Sequence, residues 1–206
     1  VKAIQGPGLP SSLSNKTCRS SDYPALPLFN YLRTVTVTPG NDIIVVDSVD
    51  MSAMVREYHI LRSDNGGEFQ TIATIPGSAG PVFSWTDADV DPGSVGYRYQ
   101  VQAIDSCGTP AITSNIGGNI LLRAISDLNA TNRLDWNGYA QWNGIVSRYN
   151  LYRGIGEELP TLLTALPSDP WTFVDDVQAF TGSTGRFCYY VQAIETGNSS
   201  GINATS

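Results

Sequence analysis

Positive charge is scarce in this chain: 12 Lys and Arg stand against 19 Asp and Glu, a formal net charge of −7 over 206 residues. No Lys/Arg cluster interrupts that balance. A phosphate backbone is held by several cationic contacts, so nucleic acid is not an expected partner. Charged residues of both signs make up 15%, against roughly 25% in an average globular chain. No apolar run approaches the ~18 residues that mark a membrane-spanning helix, so membrane insertion is not expected either. Val1 is followed by neither a basic segment nor an apolar core of the signal-peptide kind. Cysteine is limited to three residues, too few for a disulfide framework and without the CxxC spacing of a zinc site. Histidine occurs once, as His59. It alternates with Tyr58 and Ile60 and so points to solvent, with no Ser or Cys motif to act on. Without a paired-carboxylate or Ser/His arrangement, the chain is not expected to be an enzyme.

Glycine and proline are plentiful, at 20 and 12 residues, and imply many turns. Tyr, Thr, Val and Ile are abundant and long helical periodicity is missing, so the expected class is all-β. A repeat supports it. Val1-Lys2-Ala3-Ile4-Gln5 recurs as Val101-Gln102-Ala103-Ile104-Asp105 and again as Val191-Gln192-Ala193-Ile194-Glu195. Ser14-Asn15 and Ser114-Asn115 follow the first two copies at one distance. Upstream, Tyr58 to Arg62 matches Tyr149 to Arg153, Trp85-Thr86-Asp87 matches Phe173-Val174-Asp175, and Tyr97 to Gln100 matches Phe187 to Tyr190. The period, about 90 to 100 residues, is that of one β-sandwich domain rather than of a solenoid unit.

Short strands separated by turns account for each unit. Thr34–Thr38, Ile43–Val46, Tyr58–Leu61, Phe69–Ile75, Phe83–Thr86 and Tyr97–Ile104 read as strands. Pro39-Gly40-Asn41-Asp42, Asp64-Asn65-Gly66-Gly67 and Pro76-Gly77 are turns. Tyr97, Tyr99, Val101 and Ala103 alternate with Arg98, Gln100 and Gln102, which predicts one buried and one wet face. About seven such strands per unit predict tandem immunoglobulin-like sandwiches.

At these residues the chain resembles a known family. Pro92-Gly93 followed by Tyr97-x-Tyr99-x-Val101-x-Ala103 resembles strand F of a fibronectin type III domain. That likeness implies a corner in which the Tyr97 hydroxyl bonds upstream backbone. Trp136, in Leu134-Asp135-Trp136, resembles the buried Trp of strand B. Phe187 stands where the second unit would have its corner Tyr, and Val45 where the first would have its Trp. Arg62-Ser63-x-Asn65-Gly66, Asp87-x-Asp89-Val90 and Ala103 to Gly108 are more narrowly similar to repeats of Bacteroidetes gliding-motility-associated surface proteins exported by the type IX system. The resemblance implies an extracellular, cell-surface location. It also implies a non-catalytic spacer and adhesive role in a large repeat protein, with weak multivalent contacts. Its partners would be neighbouring repeats, surface polysaccharide or another surface protein. The alternative role is a carbohydrate-binding or spacer module of a secreted polysaccharide-degrading enzyme.

The expected division is 1–29 as the tail of a preceding repeat plus linker, 30–121 as one fibronectin type III-like domain, and 122–206 as a second lacking its last strand. Several residues stand out against this frame. Asp87, Asp89 and Asp91 are spaced like the opening of a calcium loop, although the other reading is a capped turn. No other cofactor is implied. Cys18 precedes the chain's entry to the first domain and Cys107 lies in a loop at the same pole, so they stand either as a disulfide or as two thiols. Cys188 falls on the outward face of its strand. Trp142, Trp171 and Tyr152 fit the inward register poorly, and the segment Trp136 to Trp142, which includes Tyr139, enters a loop; Tyr139, Trp142 and Trp171 read either as a ligand-stacking surface or as packing between repeats. Asn15, Asn129, Asn198 and Asn203 head N-glycosylation triplets, a pattern that arises by chance in an Asn/Thr-rich chain.

Overall fold

A computed structural model describes residues 2–4, 8, 11–19, 25–127, 129–139, 142–180, 182 and 185–198. Residues 199–206, where the second unit is expected to end without its last strand, lie outside them, and the Asn203 triplet with them. Alternating apolar and polar residues give strands throughout, and the single helical element among the described residues is a 3₁₀ turn at Gln178–Phe180.

The first sandwich begins after a small hairpin of β1 (Lys2–Ile4) and β2 (Ser11–Leu13). It contains β3 (Asn30–Val37), β4 (Ile43–Val49), β5 (Val55–Asp64), β6 (Gln70–Pro76), β7 (Val82–Asp87), β8 (Tyr97–Asp105), β9 (Pro110–Thr113) and β10 (Gly117–Gly118). One sheet has the order β3-β4-β7. The other has the order β10-β8-β5-β6, with β9 also on β8. The second sandwich contains β11 (Leu122–Ser126), β12 (Thr131–Trp136), β13 (Ile145–Ile155), β14 (Thr161–Leu166), β15 (Thr172–Asp176) and β16 (Phe187–Thr196), in sheets β11-β12-β15 and β14-β13-β16. An A-B-E sheet facing a C′-C-F(-G) sheet is the fibronectin type III-like, immunoglobulin-like arrangement. The protein is therefore an all-β tandem of such sandwiches.

Register repeats as well as topology. Lys2 lies opposite Leu13 and Ala3 opposite Ser12; one hundred positions on (102 − 2), Gln102 lies opposite Thr113 and Ala103 opposite Ile112. Tyr97, Tyr99, Val101 and Ala103 are all buried; with Tyr58 and Ile60 of the same sheet they pack against Leu32, Val35, Ile43, Val45 and Phe83 of the other. The Tyr97 hydroxyl accepts the Asp91 N–H at 3.0 Å, which forms the corner. At the equivalent corner of the second sandwich, Phe187 makes an edge contact with Phe180, centroids 6.2 Å apart.

One equivalence differs from that expected. Val45 pairs with Trp85, and Leu134 pairs with Phe173. Since Trp85 corresponds to Phe173, Val45 corresponds to Leu134, and the counterpart of Trp136 two residues on is Asp47 rather than Val45. Asp47 is fully buried, and among the described residues neither carboxyl oxygen has a hydrogen-bond partner. The space that an indole fills in the second core is compensated in the first by Phe83. That ring lies on β7 opposite Asp47 and packs 5.2 Å from the Tyr58 ring.

Candidate functional site: the joint and cleft between the sandwiches

β3 is an edge strand, and an exposed edge of unpaired backbone groups invites association. Side chains cover this one. Asn115, from the β9–β10 connection, accepts the Leu32 N–H at 2.9 Å and donates to the Leu32 carbonyl at 3.0 Å. Two aromatic residues of the second sandwich continue the work. Trp142 Nε1 donates to the Arg33 carbonyl at 2.9 Å, and the Tyr139 hydroxyl accepts the Val35 N–H at 3.0 Å. Their rings pack 4.1 Å apart.

On the same side, Tyr31 leaves the core of its own sandwich and joins that of the second. Its hydroxyl donates to the Glu195 carboxylate, which also accepts the Gly144 N–H and the Asn198 amide. Asn198 also donates to the Tyr31 oxygen at 2.6 Å. Burial and the adjacent Glu195 charge push the Tyr31 hydroxyl pKa up, so the proton stays on Tyr31 and the carboxylate remains the acceptor.

The linker is held from both ends. Asn119, buried, accepts the Tyr97 N–H at 2.7 Å and donates to the Pro92 and Val95 carbonyls. Asn137 of the second sandwich accepts the Leu121 N–H at 2.6 Å and donates to the Asn119 carbonyl at 3.1 Å. Every residue from 119 to 121 is thereby tied to a sandwich or flanked by one that is.

Beside this linker lies a cleft of about 670 Å³. The first sandwich contributes Asn65, Gly66, Gly96 and Arg98; the second contributes Arg123, Asp135, Gly138 and Trp171. Asn65 and Gly66 adopt positive φ, 50° and 79°, in the tight turn between β5 and β6, a conformation that Asn and Gly tolerate best. The Asn65 carbonyl oxygen accepts the Gly96 N–H at 3.2 Å. Trp171 lies against Gly138, where a Cβ would approach the indole to 2.5 Å, so only glycine seats the ring. Trp171 Nε1 donates to the Ser168 carbonyl, and 47% of the residue is exposed.

Of the two readings of these aromatics, packing between the sandwiches describes Tyr139 and Trp142. Tyr139 and Trp142 are mostly buried in the joint, with only the remaining edge of Tyr139 reaching the cleft. The register of Trp142 looked irregular because its partner is the neighbouring sandwich. Trp171 remains accessible.

For Asp87, Asp89 and Asp91 the contacts fit the other reading, a turn. Asp87 is buried and accepts from Arg62 Nη1 and the Tyr99 hydroxyl, each at 2.9 Å. The Asp89 N–H bonds back to Asp87, while the Asp91 N–H serves the tyrosine corner. Asp89 and Asp91 are exposed and do not converge with Asp87. Among the described residues no three His, Cys, Asp or Glu form a metal-holding group.

Asp87 instead belongs to a clasp that the sequence repeats. In the second sandwich, Asp175 accepts from Arg153 Nη1 at 2.8 Å and the Tyr189 hydroxyl at 2.7 Å. Each clasp ties the A-B-E sheet, through Asp, to the facing sheet, through Arg and Tyr. Burial and the neighbouring Asp175 push the Tyr189 pKa up to about 12. The matched segments already contained Arg62/Arg153, Asp87/Asp175 and Tyr99/Tyr189 at equivalent positions. That coincidence was the available signal.

Cys18 and Cys107 are free and exposed, so of the two readings they stand as two thiols. Cys107 sits in the β8–β9 turn, which Asp105 closes by accepting the Cys107 and Thr109 N–H groups at 2.8 Å; the turn needs no covalent tie. Cys188 is also free and half-buried, and His59 is half-buried beside Glu57 at 3.1 Å. Asn198 is buried in the joint, which removes it as a glycosylation acceptor.

No family model matches the chain. No curated protein matches it. Among solved structures it is similar to the chicken CNTN1 FN1-FN3 domains, at 10% identity and a TM-score of 0.33. That match covers 89% of this chain and 64% of the other, so the chain spans less than two thirds of that structure's length.

Proposed function

We propose that the chain is a non-catalytic structural and adhesive segment of a large bacterial surface protein, of the gliding-motility-associated, type IX-exported kind. It acts as a spacer that sets modules at a fixed relation to one another and makes weak multivalent contacts. The observation that carries this reading is the joint. An edge strand of one sandwich is capped by Trp142 and Tyr139 of the next, and Tyr31 is sunk into its neighbour's core. Neighbouring domains with small interfaces move independently by default; these side chains oppose that motion. The buried charged groups described at the clasps and joint are taken up in structural contacts, which fits a scaffold rather than a catalyst.

The test is antibody labelling of intact cells of the source bacterium. Labelling without lysis supports a surface module, and labelling only after lysis overturns it. A second reading, a carbohydrate-binding module of a secreted polysaccharide-degrading enzyme, draws on exposed Trp171 in the cleft.

A further inference from the structure

The cleft beside the linker differs in charge from the rest of the molecule. On a chain of net charge −7, its walls carry Arg98 from β8 and Arg123 from β11. Both are exposed, and among the described residues neither takes part in an ion pair. Small partners flank Arg98, which lies opposite Ser63 on one side and Gly118 on the other. The one carboxylate in the lining, Asp135, is engaged: Arg133 Nε lies 3.0 Å away. Thr172 and then Arg133 hold its pKa below the usual carboxylate range. The cleft therefore presents two guanidinium groups outside any ion pair among the described residues and one carboxylate, Asp135, which lies opposite Arg123 in the strand register and pairs with Arg133.

The remaining lining is suited to a ring. Trp171 is seated on Gly138 and is 47% exposed. An indole face stacks on a flat ligand with a C–H surface, such as a pyranose. Asn65 uses its amide carbonyl on Gly96, while its amide NH₂ donates to nothing among the described residues. Guanidinium forks match carboxylates in a bidentate way that a point charge does not. At about 670 Å³, the cleft lies within the 300–1,000 Å³ of ordinary ligand sites.

We propose that this cleft binds an anionic sugar unit, a uronate of an acidic polysaccharide, with Trp171 stacking on the ring and Arg98 and Arg123 taking the carboxylate. The assignment names the ligand class for the adhesive role proposed above and rests on that reading for its biological setting. Both sandwiches supply the site, so the fixed joint is what holds the two arginines and the indole in one place.

The test is NMR titration of the full chain, following the side-chain N–H signals of Trp171, Arg98 and Arg123. The probes are short oligogalacturonate, neutral oligogalactan of equal length, and sodium acetate. Oligogalacturonate is expected to give saturable shifts at these three side chains, with neutral oligomer and acetate giving none at equal concentration. Arg98→Gln with Arg123→Gln is expected to weaken binding about tenfold or more, the scale of lost charge-assisted hydrogen bonds, and Trp171→Ala to abolish it. All three positions are exposed, and an otherwise unchanged spectrum shows that the variants fold. No response, an equal response to neutral sugar, or shifts centred elsewhere overturns the assignment. Such a failure leaves the surface-module reading to stand or fall on cell labelling alone.

Discussion

The Tyr31 hydroxyl of the first sandwich donates to both Glu195 carboxylate oxygens of the second, at 2.9 and 3.0 Å. Both residues are buried, and they are 164 positions apart in sequence. Tyr31→Phe keeps the ring but removes the donor from a buried carboxylate. A hydrogen bond to a charged group contributes about 1.5–3 kcal/mol. Scanning calorimetry is expected to show that loss in the transition of the second sandwich, and an unchanged thermogram would refute this role for Tyr31.

The clasps predict a contrast between buried and surface ion pairs. Arg153→Met strands Asp175, a buried carboxylate, and losing one partner of such a pair costs about 3–5 kcal/mol. Arg133→Met breaks only the exposed Arg133–Asp135 pair, which solvent screening leaves with little effect on stability. Urea midpoints of the two variants decide whether the clasp holds the sheets together. Equal midpoints would remove that role.

Asp47 gives a pH dependence. Burial raises its carboxyl pKa well above the ordinary range, so the folded state holds a proton that the unfolded chain releases near pH ~3.9. The sign follows: its favourable contribution is complete below that pH and is lost as pH rises toward the folded-state pKa. Asp47→Asn removes the titration. The unfolding free energy of the variant relative to the parent, read from urea titrations at each pH, is expected to climb between pH 4 and pH 7, reaching a gain of about 1–3 kcal/mol. A constant difference across that range would contradict the buried, unpartnered placement.

The local pattern was legible because it is local. Tyr97, Tyr99, Val101 and Ala103 all face the core, since a strand's period of two dictates their side whatever lies beyond. For Tyr139 and Trp142 packing between repeats was legible only as one of two readings, because their burial depends on where a second sandwich sits against β3. Asp47 escaped for another reason: a carboxylate at a core position breaks the apolar pattern, so the sequence match slid to Val45. The Asp87-x-Asp89-x-Asp91 spacing resembled a cation loop, yet β7 ends at Asp87. The chain turns there, and Asp87 faces inward to Arg62 while the other two face solvent.

Calcium supplies a fourth check. With Asp87 committed to Arg62 and Tyr99, adding about 10⁻³ M calcium, the level at which extracellular modules bind, is expected to leave the melting temperature unchanged. A calcium-dependent rise that Asp89→Asn removes would restore the cation reading.

The central claim is that the two sandwiches move as one body through the joint of Tyr31, Tyr139, Trp142 and Glu195. Backbone ¹⁵N relaxation of the full chain tests it most directly. One shared rotational correlation time and diffusion tensor for 30–118 and 122–196 is the predicted result; separate, shorter times for the two segments would contradict it.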